Sequence, residues 1–249
     1  MLVFKRNKYL LRIAEVYFNT GELNNITGID VVMYVQSACN KRGAKEFNTL
    51  LIDLGKDEQV LFAELSRNTR DKIKKAHNKD ELQYIILTSP SEGEIQEFIT
   101  FYDIFAVDKG LSGSNRKKLQ ALNQCASLVL TLVKDKNERV LCYHAYITDG
   151  NRVRCLYSAS HYRNFNESSF RSMLGRANRY LHWMDIRSFK EKGYRYYDFG
   201  GLSLDKSNQD LKNIDDFKRG FGGTTVKEYN YFHPKSVLGR IAVKLKRFY

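Results

Sequence analysis

Two short runs of this sequence end in groups able to pass a proton. The run 152–161 closes on Tyr157, Ser158, Ser160 and His161, and the run 194–199 carries Asp198 just before Gly200-Gly201. Hydroxyl, imidazole and carboxylate groups at the ends of two strands are a set that relays protons in group transfer. Each also has a plainer reading, His161 as a surface-loop histidine and Asp198 as a carboxylate bonding the adjacent turn. Between the runs, the segment from Tyr162 through Arg163 to Asn166 leads into a long helical pattern. A helix start presents free N–H groups to a phosphate, Arg163 adds charge there, and Asn166 or Ser168 can cap it. No metal site is expected. A two-residue turn at Asp149-Gly150 would set His144 opposite Cys155 and Cys142 opposite Tyr157, too few ligands for an ion, so His144 reads as a packed strand residue. Asp198-Phe199-Gly200 spells a kinase magnesium motif without the accompanying nucleotide loop, and 110–114 misses the serine-hydrolase elbow because position 114 is Ser.

These groups sit in a chain of 249 residues with 41 Lys+Arg and 28 Asp+Glu, a net charge of +13. With 43% apolar residues, 13% aromatics and two prolines, a disordered or collagen-like chain is excluded. The longest apolar runs fall well short of a membrane span, and Lys5, Arg6, Lys8 and Arg12 interrupt any signal-peptide core, so the expected location is cytoplasmic. Cys39, Cys125, Cys142 and Cys155 lack paired spacing and are expected to be buried thiols. The charge excess favours anionic partners: nucleic acid, an acidic membrane surface or a phosphorylated small molecule.

The elements that must hold the candidate groups follow in a readable order. Short strands and a better one at 47–54 precede a helical stretch over 57–77, with a capping signal at Asn68-Thr69 and a basic second half containing Arg67, Arg70, Lys72, Lys74 and Lys75. That basic face is either solvated surface or an anion site. Then come a strand at 82–88, helices at 92–107 and 115–126, strands at 127–134, 140–148 and 152–161, and a long helix from 167 to about 192. Its apolar face carries Phe170, Met173, Leu174, Ala177, Leu181 and Met184, with Trp183 expected in the core. A strand at 194–199, a helix at 209–219 and a strand at 224–232 complete the body. The tail is basic and amphipathic, with Val237, Leu238, Ile241, Leu245 and Phe248 on one helical face and Arg240, Lys244 and Arg247 beside them. Such a helix lies in an anionic membrane interface or docks on its own domain.

This order resembles the GNAT acyltransferase fold, with 152–161 and 194–199 as the parallel pair that splays to admit a donor. The stretches LSRNTRDKIKKA (65–76), NRYLHWMDIRSFKEKGYRYYDFGG (178–201) and DDFKRGFGG (215–223) resemble Fem-type aminoacyltransferases of peptidoglycan cross-bridges and their single-domain relatives. The resemblance implies a mixed α/β (α+β) fold with a mostly antiparallel sheet and helices on both faces. It implies an extension over 1–80, an acyltransferase domain over 81–235 and a C-terminal helix over 236–249. It makes Lys218 the residue that neutralises charge on donor or intermediate, with Phe217 shaping the pocket, Gly200 and Gly201 allowing close approach, and Asp198 or His161 passing the proton. Tyr157, Ser158, Ser160, Arg163, Asn166 and the basic-helix Arg70 would contact the donor. Two features depart from the pattern: the chain has room for one such unit, and the segment before the long helix lacks glycine. The implied activity is N-acyl transfer, from acyl-coenzyme A or aminoacyl-tRNA, to an amine of a cell-envelope precursor. The enzyme would be cytoplasmic or peripheral at the inner membrane face, in contact with a lipid-linked precursor and with no stable protein partner. The rival reading is a non-catalytic basic module that binds nucleic acid or an anionic membrane.

Overall fold

The structure, a computed structural model, describes residues 1–8, 10–21, 26–160, 168–203, 205 and 207–245. It contains β1 (Leu2–Lys8), β2 (Leu11–Tyr17), β3 (Val31–Ser37), β4 (Lys45–Asp53), α1 (Glu58–Glu64), α2 (Arg67–Lys79), β5 (Gln83–Leu87), α3 (Glu92–Lys109) and α4 (Arg116–Gln124). There follow β6 (Leu128–Lys134), β7 (Val140–Thr148), β8 (Arg152–Ser160), α5 (Ser168–Glu191), β9 (Tyr196–Leu202), α6 (Gln209–Arg219), β10 (Thr224–Pro234) and α7 (Val237–Lys244). The expected element order holds, and the class is mixed α+β with mostly antiparallel strands.

Packing divides the chain into Met1–Thr49 with Thr225–Tyr249, and Leu50–Thr224. In the second unit Leu50 and Ile52 of β4, Leu54 just after it, Leu61 of α1, and Ile73 and Ala76 of α2 share one buried cluster with Leu181, Ile186 and Phe189 of α5.

In the first unit the strands run in the order β1-β2-β3-β10. β2 and β3 are parallel, a second parallel pair that the alternating sequence pattern did not reveal, while β1 and β10 join antiparallel. The buried Asp30 ties this unit together: its carboxylate accepts from Arg12 N at 2.9 Å, Arg12 Nε at 3.3 Å and Ser236 Oγ at 2.8 Å. The second unit orders its strands β4-β9-β8-β7-β6-β5. Helix α3 packs against one face through Phe98, which meets Tyr143 edge-on, and α5 covers the other, where Cys142 belongs to the core. Ser91 and Glu94 form a reciprocal capping box at the start of α3, and Gly110 ends it in the left-handed region.

Three local expectations are corrected. The stretch 57–77 is two helices, because Leu65 and Ser66 are extended and Ser66, not Asn68 or Thr69, caps α2 by accepting from Thr69 N at 3.3 Å. The β7–β8 connection is longer than two residues: Asp149 Oδ1 accepts from Asn151 N and Arg152 N, so Thr148 pairs with Val153. A bulge then shifts the register, placing Cys142 opposite Ser160 and His144 opposite Ser158. Of the cysteines only Cys142 is fully buried, and Cys125 is exposed.

Asp30 sets a pH signature for the first unit. The Arg12 backbone N–H and guanidinium, with the Ser236 hydroxyl, hold its carboxyl at about 2 against an ordinary 3.8. A depressed folded-state pKa contributes stability that is present above 3.8 and lost as pH falls toward 2. Asp30→Asn is therefore expected to be less stable than the parent at pH 6 in urea denaturation, with the gap closing between pH 4 and 2. A gap that ignores pH would remove this role from Asp30.

Candidate functional site

The site is built on the parting of β8 and β9. These strands pair in parallel at Arg152↔Tyr196, Val153↔Tyr197 and Arg154↔Asp198, and there the described ladder ends, although β8 continues to Ser160 and β9 to Leu202. Helix α5 makes the crossover that a parallel pair requires. At the point of parting, Asp198 is fully buried and accepts from Arg152 Nε at 2.9 Å, Arg152 Nη2 at 2.6 Å and Gly200 N at 2.7 Å. A carboxylate engaged by those donors ties the end of β9 to β8 and to its own turn. The bond to Gly200 N accompanies a φ of +74° at that glycine, and a Cβ there would lie 3.2 Å from Cys155 O. Gly201 has no such φ; its carbonyl oxygen is what the site uses.

Helix α6 is clamped to this strand end by two side chains one turn apart. Asp215 accepts from Ser203 N at 3.1 and 3.0 Å, and Lys218 Nζ donates to Gly201 O. The glycines after α6 are sterically required: a Cβ on Gly223 would meet Leu51 O at 2.5 Å, and one on Gly222 would meet Glu64 at 3.1 Å, both at φ near +80°. Gly220 O accepts from Ser66 N at 2.9 Å, joining the α1–α2 junction to the end of α6. Burial pushes the Lys218 amine below the usual lysine range, and Arg154 adds to this, while Cys155, Asp215 and Asp198 pull it back up. Burial also pushes the Cys155 thiol up to about 12, so it stands protonated beside the lysine at neutral pH. Phe217 packs on Phe221 and His182, and the Arg179 guanidinium lies 4.7 Å over its ring. Arg179 donates to Gly175 O, and its buried Nε has no hydrogen-bond partner among the described residues.

The remaining sequence candidates separate. The bulge turns Tyr157 onto the α3 face, where it packs 4.6 Å from Tyr102 and accepts from Asn115 N. Ser158 and Ser160 lie half-buried along the same strand, opposite His144 and Cys142. Arg70 is not turned toward the parting strands: Nη1 donates to Ala63 O and Leu65 O at the end of α1. Burial first, and then Arg179 and Arg176, push the amine of its neighbour Lys72 below the usual lysine range, while Arg176 is itself paired with Asp80 at 2.6 Å. Lys74 and His77 instead line a cavity of about 210 Å³ with Phe62, Tyr180, Trp183 and Arg187. His161, Arg163 and Asn166 lie outside the described residues.

Sequence reasoning missed a buried polar network behind the site. Asp185 accepts from Tyr84 at 3.0 Å and Tyr146 at 2.5 Å, and His144 Nδ1 lies 2.9 Å from it. Tyr146 meets Tyr197 at 2.8 Å, and Tyr197 meets His182 Nδ1 at 2.7 Å. His144, His182 and Asp185 have ligand atoms within 4.8 Å of one another, a metal-like grouping. Hydrogen bonds engage those side chains, His144 Nε2 with Asn178 Oδ1 included, so the cluster is a hydrogen-bonded network of phenols, imidazoles and a carboxylate. Burial, with His144, Lys218 and Arg179 nearby, pushes His182 well below the usual imidazole range, so it is neutral. The signal was available: His182 and Asp185 interrupt the apolar face of α5 at helical spacing.

No family model and no curated protein matches this chain. Solved structures do. FemX superposes with a TM-score of 0.59 at 15% identity, over 80% of this chain and 63% of that one. The C-terminal domain of a putative lysylphosphatidylglycerol synthetase from Agrobacterium fabrum gives 0.57 at 10%, over 97% and 83%. L-PGS from Bacillus licheniformis gives 0.54 at 11%, over 87% and 72%. The fold is the one they share. The Fem-type resemblance therefore holds for the architecture, and the chain spans under two thirds of FemX's length.

The Arg152–Asp198 pair gives this frame a direct test. Both side chains are at least nine-tenths buried, so Arg152→Met leaves a carboxylate uncompensated and is expected to cost about 3–5 kcal/mol in urea denaturation. The double variant Arg152→Met/Asp198→Leu should recover most of that loss. A single variant as stable as the parent would show that the pair does not hold the strands.

Proposed function

We propose that this chain is an N-acyltransferase that moves an acyl or aminoacyl group from an activated, anionic donor to the amine of a cell-envelope precursor. The observation that carries the reading is the end of the β8–β9 ladder at Arg154/Asp198, with half-buried Lys218 held against Gly201 at the opening. The donor carbonyl enters between the strands, and the acceptor amine attacks it. The C–N bond forms as the carbonyl becomes an oxyanion, which backbone amides and the Lys218 cation stabilise. Collapse then breaks the bond to the leaving group, a thiolate for coenzyme A or a ribose hydroxyl for tRNA. The amine's extra proton passes to His161, which follows β8 directly in sequence. Phe217 shapes the wall, while Arg154, Arg179 and Lys72 supply positive charge for donor phosphates.

The envelope acceptor is supported by the fold neighbour named as a putative lysylphosphatidylglycerol synthetase, a name that contains an aminoacylated lipid. An acyl thioester is the first candidate donor, and aminoacyl-tRNA is the second. Calorimetric titration with coenzyme A and acetyl-coenzyme A decides between them: saturable one-site binding is expected for the thioester, and silence from folded protein moves the donor to aminoacyl-tRNA.

Lys218→Ala is expected to lower turnover by about 10²–10³ while circular dichroism stays unchanged. Because the cation is the working form and burial lowers its pKa, the parent's rate should fall as pH rises through a value below the ordinary 10.5. Equal rates in parent and variant would take Lys218 out of the mechanism.

A further inference from the structure

Helix α7 is docked by the wrong face for an ordinary amphipathic helix. At 100° per residue, Val237, Leu238, Ile241 and Leu245 fall within one arc of about 100°, the side that normally seeks a core. All four are exposed, Val237 at 71% and Leu245 at 59%. The helix sits on its own unit through Gly239, on the far side, and Ala242, just past the edge of the apolar arc. A Cβ at Gly239 would come within 2.0 Å of Asp30 O, so the backbones touch there and only glycine permits the seat. Ser236 caps the helix, accepting from Gly239 N at 3.0 Å while donating to Asp30, and Lys235 N donates to Asp30 O. The orientation is thus fixed at several points, and it turns the apolar arc outward.

The surroundings identify what such a face meets. Lys235, Arg240 and Lys244 are exposed, with Arg240 and Lys244 on the arc bordering the apolar one, and no acidic residue occurs from 229 to the C-terminus. The same locus carries the β1–β2 turn, since Arg12 bonds the Asp30 that holds Ser236. Two residues before Arg12, in that turn, stands Leu10, at 89% the most exposed large apolar residue among the described residues. Bare leucine, isoleucine and valine rimmed by cations match one environment on both counts: acyl chains beneath anionic headgroups. A polynucleotide would satisfy the cations and leave the apolar arc in water.

We infer that α7, with Leu10 of the β1–β2 turn, is a peripheral docking surface for an anionic lipid bilayer. The helix lies in the plane of the interface, with Leu238, Ile241 and Leu245 among the upper acyl carbons and Arg240 and Lys244 at headgroup level. Acyl transfer is not needed for this inference, which stands on unit-one residues alone.

Co-sedimentation of the full chain with phosphatidylglycerol/phosphatidylcholine vesicles, and with pure phosphatidylcholine vesicles, tests it. The parent should bind the anionic vesicles and weaken as salt rises. Leu238→Glu/Ile241→Glu changes only exposed positions and should bind about tenfold or more weakly. Arg240→Ala/Lys244→Ala should lose the preference for anionic over neutral vesicles. Parent protein that ignores anionic vesicles, or a Leu238→Glu/Ile241→Glu variant that binds them as well as the parent does, overturns the inference. Two further results also overturn it: a sedimentation-velocity dimer that this variant abolishes without any vesicle binding by the parent, and RNA binding that replaces vesicle binding. Turnover of a soluble amine acceptor, measured on the same variants, separates failure of this surface from failure of the acyltransferase reading.

Discussion

Everything in the second unit depends on where β8 and β9 stop pairing. A parallel ladder that continued past Arg154/Asp198 would close the gap and leave Lys218 facing a filled sheet. The ladder stops because Asp198 is held at its last rung by Arg152, and Gly200 turns into the left-handed region immediately beyond. A buried ion pair is weak evidence for net stability, because desolvation offsets much of the Coulomb attraction, but it is demanding about geometry. Sliding the strands by one residue would bury both charges apart. The pair therefore acts as a register pin, and the opening begins at the rung it pins.

From that pin the remaining parts are set by contact. The Asp198–Gly200 bond orients the β9 end, Gly201 O then receives Lys218, and Ser203 N receives Asp215. Helix α6 is fixed in turn to the α1–α2 junction through Gly220 and Ser66. On the other side of Lys218 lies aromatic packing, with Phe217, Phe221 and Phe199 around His182 and the phenol–imidazole network beneath. A satisfied buried network rigidifies its surroundings, because each member loses its partner if another moves. Cys142 and Leu174, in the core that borders the network, supply ordinary apolar packing.

What was legible in the sequence follows the range of the interactions involved. Apolar periodicity is local, so α3, α5, β7 and the order of elements could be read before any contact was known. The split of 57–77 into two helices was missed because Ser66 caps α2 only once Ser66 N is bonded to Gly220 O, far away in sequence. The wider β7–β8 connection was missed because an Asp-Gly pair signals a tight turn, whereas Asp149 builds a longer one by accepting from the backbone at 151 and 152. Lys218 is singled out by the motif around it and not by charge, which 41 basic residues make uninformative. The same holds for Arg70: in a basic run nothing in the pattern separates a guanidinium that bonds a helix end, as Arg70 does, from one that faces a ligand.

The ionisation states at the opening bear on how the proposed transfer would proceed. A covalent route through the enzyme needs an activated nucleophile, and the thiol nearest the lysine, Cys155, is held protonated with its pKa near 12. Lys218 is no better suited, since its working form is the ammonium, which donates to Gly201 O and carries no free electron pair. What the opening does offer is fixed positive charge from Lys218 and Arg154 beside strand backbone that has left its ladder. Such an arrangement stabilises an oxyanion without reorganising, and it favours direct attack by the acceptor on the donor over a ping-pong route. Direct attack requires donor and acceptor to be present together, so the gap between β8 and β9 must admit them from different sides.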